Sequence, residues 1–237
     1  MAERERSAWC GRSCTIRADP ERQHRHDDSD GRRLGLGAHG GRREEDRREA
    51  YCESGEGEEQ TGSAERRQLT VMFADLVGST ALAGRLDPED TREAITRYQN
   101  VVAAEVVRFE GHVAKYMGDG VLCYFGWPQA HEDDAERAAR AGLQIIAALE
   151  DKTAPNGEKL EARIGVATGL VVVGDLIGEG AAQEEAVIGE TPNLAARMQG
   201  IAEPGQIVVS DSTRRLLSDA LDVSHLGQQE LKGISGP

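Results

Sequence analysis

Two aspartates stand at the rims of short apolar runs. Asp75 closes Leu69-Thr70-Val71-Met72-Phe73-Ala74-Asp75, and Asp119 lies in Met117-Gly118-Asp119-Gly120, between two further strand-like runs. A carboxylate held against an apolar sheet is costly unless a counter-charge meets it, and two converging carboxylates repel unless a cation lies between them. A pair of divalent metal ions is the simplest counter-charge. Taken singly, Asp75 could instead cap a helix and Asp119 could be an ordinary turn residue. Asn193 and Arg197 form a second constellation, four residues apart in a helical segment, so both side chains project from one face toward a common point. Arg197 lies in the apolar run Leu194-Ala195-Ala196-Arg197-Met198, which argues against a plain solvated helix face, and the shared geometry can serve one ligand.

The elements that must position these groups follow from periodicity and punctuation. Residues 68–75 read as a buried strand. Asp87-Pro88-Glu89-Asp90 supplies a cap, a proline suited to the first turn and acids near the positive end of the helix dipole, which predicts a helix to about Phe109. Met117-Gly118-Asp119-Gly120 signals a tight hairpin. A second long helix spans residues 130–150, led by His131-Glu132-Asp133-Asp134, whose acids the helix dipole explains without any chemistry. A strand over 161–173, a loop over 174–185, a helix over 190–202, a strand over 206–210, a short helix after Asp211 and a last strand near 221–231 complete the order β-α-β-β-α-β-α-β-α-β. That order predicts an α+β fold of the ferredoxin-like, split βαβ type, an antiparallel-rich sheet with its helices packed on one face.

Composition bounds the rest. The chain has 237 residues and a net charge of −14, with a sequence pI near 4.9, which argues against nucleic acid as the main partner because phosphate contacts need a basic surface. No apolar run approaches the ~18 to 20 residues that span a bilayer, and the first residues lack a secretion pattern, so no membrane and a cytoplasmic location are expected. Residues 1–66 are rich in Arg, Glu, Asp, Gly and Ser with few branched aliphatics, which predicts a disordered tail followed by one catalytic-size domain over 67–237. Four cysteines (Cys10, Cys14, Cys52, Cys123) are too sparse for a disulfide framework, and the Cys and His spacings of the tail match no zinc pattern. No Gly-x-x-x-x-Gly-Lys-Ser/Thr loop occurs, which argues against a P-loop ATPase.

Three separated blocks carry a resemblance. Val71-Met72-Phe73-Ala74-Asp75-Leu76-Val77-Gly78-Ser79-Thr80, then Lys115-Tyr116-Met117-Gly118-Asp119-Gly120, then Gly189-Glu190-Thr191-Pro192-Asn193-Leu194-Ala195-Ala196-Arg197-Met198 resemble, over residues 67–233, the catalytic domain of the class III adenylate and guanylate cyclases, bacterial type. The resemblance implies that Asp75 and Asp119 hold two Mg²⁺ or Mn²⁺ ions, with the backbone carbonyl of Leu76 as a further ligand, a donor set that suits hard cations. It implies that Asn193 orients the ribose and Arg197 neutralises charge developing on the α-phosphate. Lys115 matches the lysine at the purine edge and favours adenine, while the position of its usual polar partner holds Ala186, which offers no side-chain hydrogen bond. Arg163 and Lys232 resemble positions that contact the β- and γ-phosphates. The implied reaction converts ATP to 3′,5′-cyclic AMP and pyrophosphate in a head-to-tail homodimer with two composite sites, and serves intracellular signalling. With Ala186, a guanylate or mixed activity on GTP stays open. So does a reading from another class, a catalytically silent nucleotide-binding or dimerisation module, because the sequence after Leu231-Lys232-Gly233 reaches only the start of the closing strand that the resemblance implies.

Overall fold

Every residue from Leu69 to Met72 is buried, as a central strand with both faces covered requires. The structure, a computed structural model, describes residues 10–17, 65–177 and 184–230. The chain runs through β1 (Cys10–Arg17), β2 (Glu65–Leu76), α1 (Ser79–Ala83), α2 (Pro88–Arg108), β3 (His112–Met117), β4 (Gly120–Phe125), α3 (Asp134–Leu149) and β5 (Ala162–Ile177). It continues through β6 (Glu184–Ile188), α4 (Glu190–Ile201), β7 (Gln206–Ser210), α5 (Asp211–Arg214) and β8 (Asp222–Glu230). The sheet order is β3-β4-β2-β5-β7-β1-β8, with β6 paired to β5. All neighbours are antiparallel except β5 and β7. The expected α+β, antiparallel-rich architecture is the one observed.

Helices cover both faces of the sheet, not one. Alternate residues of β2 divide between two layers, as a period of two demands. Met72, Ala74 and Leu76 join Tyr98, Val102 and Val106 of α2 and Ala138, Ile145 and Leu149 of α3 in the main core. Val71 and Phe73 instead meet Ala167, Leu194 and Ala195, so α4 lies on the opposite face. Close approach there is set by Gly165, where an added Cβ would come within 2.1 Å of the Gln199 backbone nitrogen and 2.2 Å of the Ala195 carbonyl oxygen. Sequence periodicity shows that a helix has an apolar stripe but not which side of a sheet receives it.

Local signals hold well elsewhere. Asp87 caps α2, its carboxylate accepting from the Asp90 backbone N–H at 3.0 Å. α3 begins at Asp134, four residues later than expected, because the Asp134 carboxylate accepts the His131 backbone N–H at 2.9 Å and closes a separate turn ahead of the helix. The short helix α1 was not foreseen. The expected loop over 174–185 is partly hairpin, since β5 runs on to Ile177 and pairs with β6, and residues 178–183 lie outside the described residues.

The largest departure concerns the N-terminal segment. Residues 10–17, expected to lack structure, form β1 between β7 and β8, with Cys14 and Ile16 in the main core. Composition averaged over 66 residues conceals the four-residue alternation Ser13-Cys14-Thr15-Ile16, and two flanking strands satisfy the backbone that the tail alone could not. Most of the remaining tail, including its histidines and Cys52, lies outside the described residues, while Glu65 and Arg66 already belong to β2.

Candidate active site

Asp75 ends the most central strand, and register decides what surrounds it. It faces Gly120 on β4 and Arg163 on β5. Asp119 is the residue before Gly120, in the β3–β4 turn, where Gly118 adopts a left-handed φ of 66° that a residue with a Cβ takes only under strain. Gln99 on α2 steadies this turn, its Nε2 donating to the Gly118 carbonyl at 2.8 Å. The two carboxyl groups therefore come into hydrogen-bond contact, and the Asp75 carboxyl is pushed up to about 6, first by burial, then by the charge of Asp119 and the hydrogen bond between them. Arg163 and the amide of Gln199 work in the opposite direction. Gln199, on α4, donates from Nε2 to Asp75 Oδ2 at 3.3 Å, while Oδ1 lies on the Gly120 side. The Tyr98 hydroxyl, buried without a hydrogen-bond partner, is raised by burial and then by both carboxylates.

Two carboxylates in mutual contact, one of them raised to about 6, form an oxygen donor set that a hard divalent cation would relieve of its repulsion. Among the described residues no group of three or more His, Cys, Asp or Glu gathers as a metal cage, so any ion here would need further oxygens from backbone, water or substrate. Leu76, whose carbonyl is one such oxygen, ends β2 with its side chain sealed in the main core. Arg163 stands beside Asp75 half-buried, with a buried Nε lacking a hydrogen-bond partner, and its positive charge acts on the Asp75 carboxyl.

α4 carries the second constellation on a different side. Ala195, Met198 and Ala202 meet the sheet, as does Gln199, while Asn193 is exposed and Arg197 is half-buried with an unpartnered Nη1. Arg197 and Gln199 are two positions apart, about 200° around the helix. Asn193 and Arg197 thus lie on the side of α4 away from the Asp75 of their own chain. Of the expected site residues, the fold brings Asp75, Leu76, Asp119 and Arg163 together and leaves Asn193 and Arg197 apart from them. Lys115 is exposed on the edge strand β3. Ala186 lies in β6 opposite Gly174, and Lys232 falls outside the described residues. Gln99, Tyr98 and Gln199 escaped the sequence reading. Only Gln199 left a trace, as a polar residue in the apolar stripe of Ala195, Met198 and Ala202.

Comparisons with known proteins bear on the family and the fold. The family model described as the adenylate and guanylate cyclase catalytic domain matches residues 62–237. An uncharacterized protein of Rhizobium meliloti is 34% identical over 174 residues, covering 73% of this chain and 17% of the relative. An uncharacterized protein of Mycobacterium tuberculosis is 36% identical over 151 residues, covering 62% and 26%. The chain therefore spans about a sixth to a quarter of the length of these relatives. Among solved structures, the adenylyl cyclase CyaB from P. aeruginosa superposes with a TM-score of 0.66 at 30% identity, covering 74% of this chain and 92% of that one. The guanylyl cyclase Cya2 gives 0.63 at 29%, covering 73% and 98%. The catalytic core of a rhodopsin-guanylyl cyclase with converted specificity, in complex with ATPalphaS, gives 0.68 at 28%, covering 73% and 93%. With the family model matched over residues 62–237 and solved adenylyl and guanylyl cyclase domains superposing on most of the chain, the chain belongs to the adenylate and guanylate cyclase catalytic domain family, class III.

Proposed function

We propose that this domain converts ATP to 3′,5′-cyclic AMP and pyrophosphate as a homodimer with two composite sites. One observation carries the reading: Asp75 and Asp119 lie on one side of α4 and Asn193 and Arg197 on the other, so a single nucleotide meets both sets only across a seam between two chains. Asp75 and Asp119, with the Leu76 carbonyl, would hold Mg²⁺ or Mn²⁺. Bound there, such ions supply Lewis acidity at the ribose 3′-hydroxyl and charge neutralisation at the triphosphate. Asn193 of the facing chain orients the ribose. Arg197 meets the charge that grows on the α-phosphate as the 3′-oxygen attacks in line and pyrophosphate departs, a role suited to a fixed guanidinium. Arg163 and Lys232 take the β- and γ-phosphates, and Lys115 the purine edge. No protein nucleophile is needed. Positioning and charge carry the step.

Ala186 favours a second reading of the base pocket. Ala186, at the position where the resemblance expects a polar partner of Lys115, removes one polar readout of the purine, and a site that reads fewer polar groups discriminates less. GTP turnover, alone or beside ATP turnover, is the consequence. A cytoplasmic setting is part of the proposal. Among the described residues no helix is long and apolar enough to cross a membrane.

Incubation of the purified protein with ATP or GTP and Mn²⁺, followed by chromatography of the products, tests turnover and base choice together. Nucleotide binding without cyclic product would leave the silent module in place of the enzyme. Composite sites have a sharper test. Asp119→Asn and Arg197→Ala chains are each expected to be inactive. An equal mixture should recover about a quarter of the normal rate, because half of randomly paired dimers are mixed and each has one intact site. Recovery of nothing, from variants shown to exchange subunits, would rule out sites built across the seam.

A further inference from the structure

β7 and β8 run in the same direction and are held apart by one strand, β1, which is antiparallel to both. Ser13 to Ile16 pair with Ser210 to Ile207 on one edge, and Cys14 to Arg17 pair with His225, Ser224, Val223 and Asp222 on the other. The side chains alternate as the slot demands. Cys14 and Ile16 enter the main core beside Ile207 and Val209, and Ser13 and Thr15 turn to the other face. Polar contacts reach β8 as well: Thr15 Oγ1 donates to the Ser224 carbonyl at 3.4 Å, and Cys14 Sγ lies 3.2 Å from His225 Nδ1. β1 stands outside the family match, which begins at residue 62, and residues 18–64 separate it from β2.

The geometry points to β7 and β8 as a strand-accepting slot and to residues 10–17 of the same chain as its occupant, so that a segment outside the matched catalytic domain completes the sheet in cis. Among the described residues β8 has no other partner strand, so β1 alone supplies its backbone pairing to the sheet. Without β1 the inner edge of β7 is an open row of backbone donors and acceptors beside a buried apolar layer, the kind of edge that recruits another strand. The seat rests mainly on backbone pairing, with Cys14 and Ile16 the two apolar anchors. Because β8 leads in sequence toward Lys232, docking of β1 also bears on the phosphate end of the active site, a consequence that rests on the cyclase reading.

A cross-link tests the placement on the full chain. Cys14 and His225 are directly paired residues of antiparallel strands, whose Cα atoms lie ~4.5 to 5.5 Å apart, within reach of a disulfide. His225→Cys, in a background of Cys10→Ser and Cys52→Ser, is expected to form a 14–225 disulfide within one chain under mild oxidation. Peptide mass spectrometry maps the bond, and migration as a monomer on a non-reducing gel shows it to be internal. Adding Ile16→Asp, which drives a charge into the core position of the anchor, should slow the cross-link at least tenfold. Absence of the 14–225 bond overturns the proposal. So does a bond formed only between two chains, which would give the slot to a second copy. The cross-link is read whether or not the protein turns nucleotide over, so an inactive chain that forms it would sink the cyclase reading and uphold the strand.

Discussion

Replacing Asp119 with Asn should make the metal-free protein more stable while it destroys metal binding. The folded Asp75 carboxyl titrates at about 6 instead of 3.8. Two pH units correspond to ~3 kcal/mol at full strength, and ~1 to 2 kcal/mol once the solvent reaching this half-exposed group is allowed for. Burial is the larger cause and Asp119 the next, so about 1 kcal/mol belongs to the neighbouring charge. The sign is fixed by which state keeps the proton. Unfolded Asp75 releases it near 3.8 and folded Asp75 near 6, so stability falls as pH rises through that window and the full cost is present above it. At pH 7.5 without metal, Asp119→Asn is therefore expected to raise Tm by ~2 to 4 °C, and at pH 4.5, where folded Asp75 already holds its proton, by less than about 1 °C. Mn²⁺ should raise the Tm of the parent protein at pH 7.5 and leave the variant nearly unmoved, because binding to the folded state alone stabilises it. Differential scanning fluorimetry at the two pH values, with and without MnCl₂, reads all four conditions. An unchanged or lowered Tm at pH 7.5, or an equal Mn²⁺ shift in both proteins, would refute the reasoning.

Arg197→Ala should lower kcat by about 10² to 10³ with little change in KM, since the guanidinium is assigned to charge that appears in the transition state. Steady-state kinetics check this, and Arg197→Lys should recover only a small part, because an ammonium lacks the planar fork. Gly165→Ala would place a methyl 2.1 Å from the Gln199 nitrogen, so α4 must shift. Denaturant unfolding should show a loss of ~2 to 4 kcal/mol, with activity falling although Gly165 touches no substrate. Thr168 links Thr70 at 2.8 Å and Thr213 at 3.0 Å in a buried hydroxyl chain that continues to Ser210 and ties β2, β5 and α5 together. Thr168→Val should cost ~1 to 3 kcal/mol in the same assay, for hydroxyls left without a partner.

Much of the fold was legible because much of it is local. The Asp87-Pro88 start of α2, the Gly118 turn and the extent of α4 are each set by residues within a few positions of one another. The chemical groups were legible too, since carboxylates after apolar runs and an Asn/Arg pair at helical spacing keep their character whatever the fold. Hidden from the sequence were relations between distant segments. Asp75 meets Asp119 only because β2 and β4 pair in the register that sets Asp75 against Gly120, and a slip of one residue would turn a strand over.

The sequence by itself determined the inventory: which helices cap, which strands alternate, which acids and cations are available, and a family resemblance strong enough to imply their use. Tertiary structure decided that α4 crosses to the far face of the sheet, that Gln199 reaches Asp75 while Arg197 turns away, and that Cys10–Arg17 is a strand. The reason is the same in each case. A periodic pattern specifies that a face must be buried, while its burying partner is selected by close packing and backbone pairing among segments far apart in the chain. Ser13-Cys14-Thr15-Ile16 shows the difference most plainly, for four residues in a charged tail acquire their meaning from β7 and β8, nearly two hundred positions away.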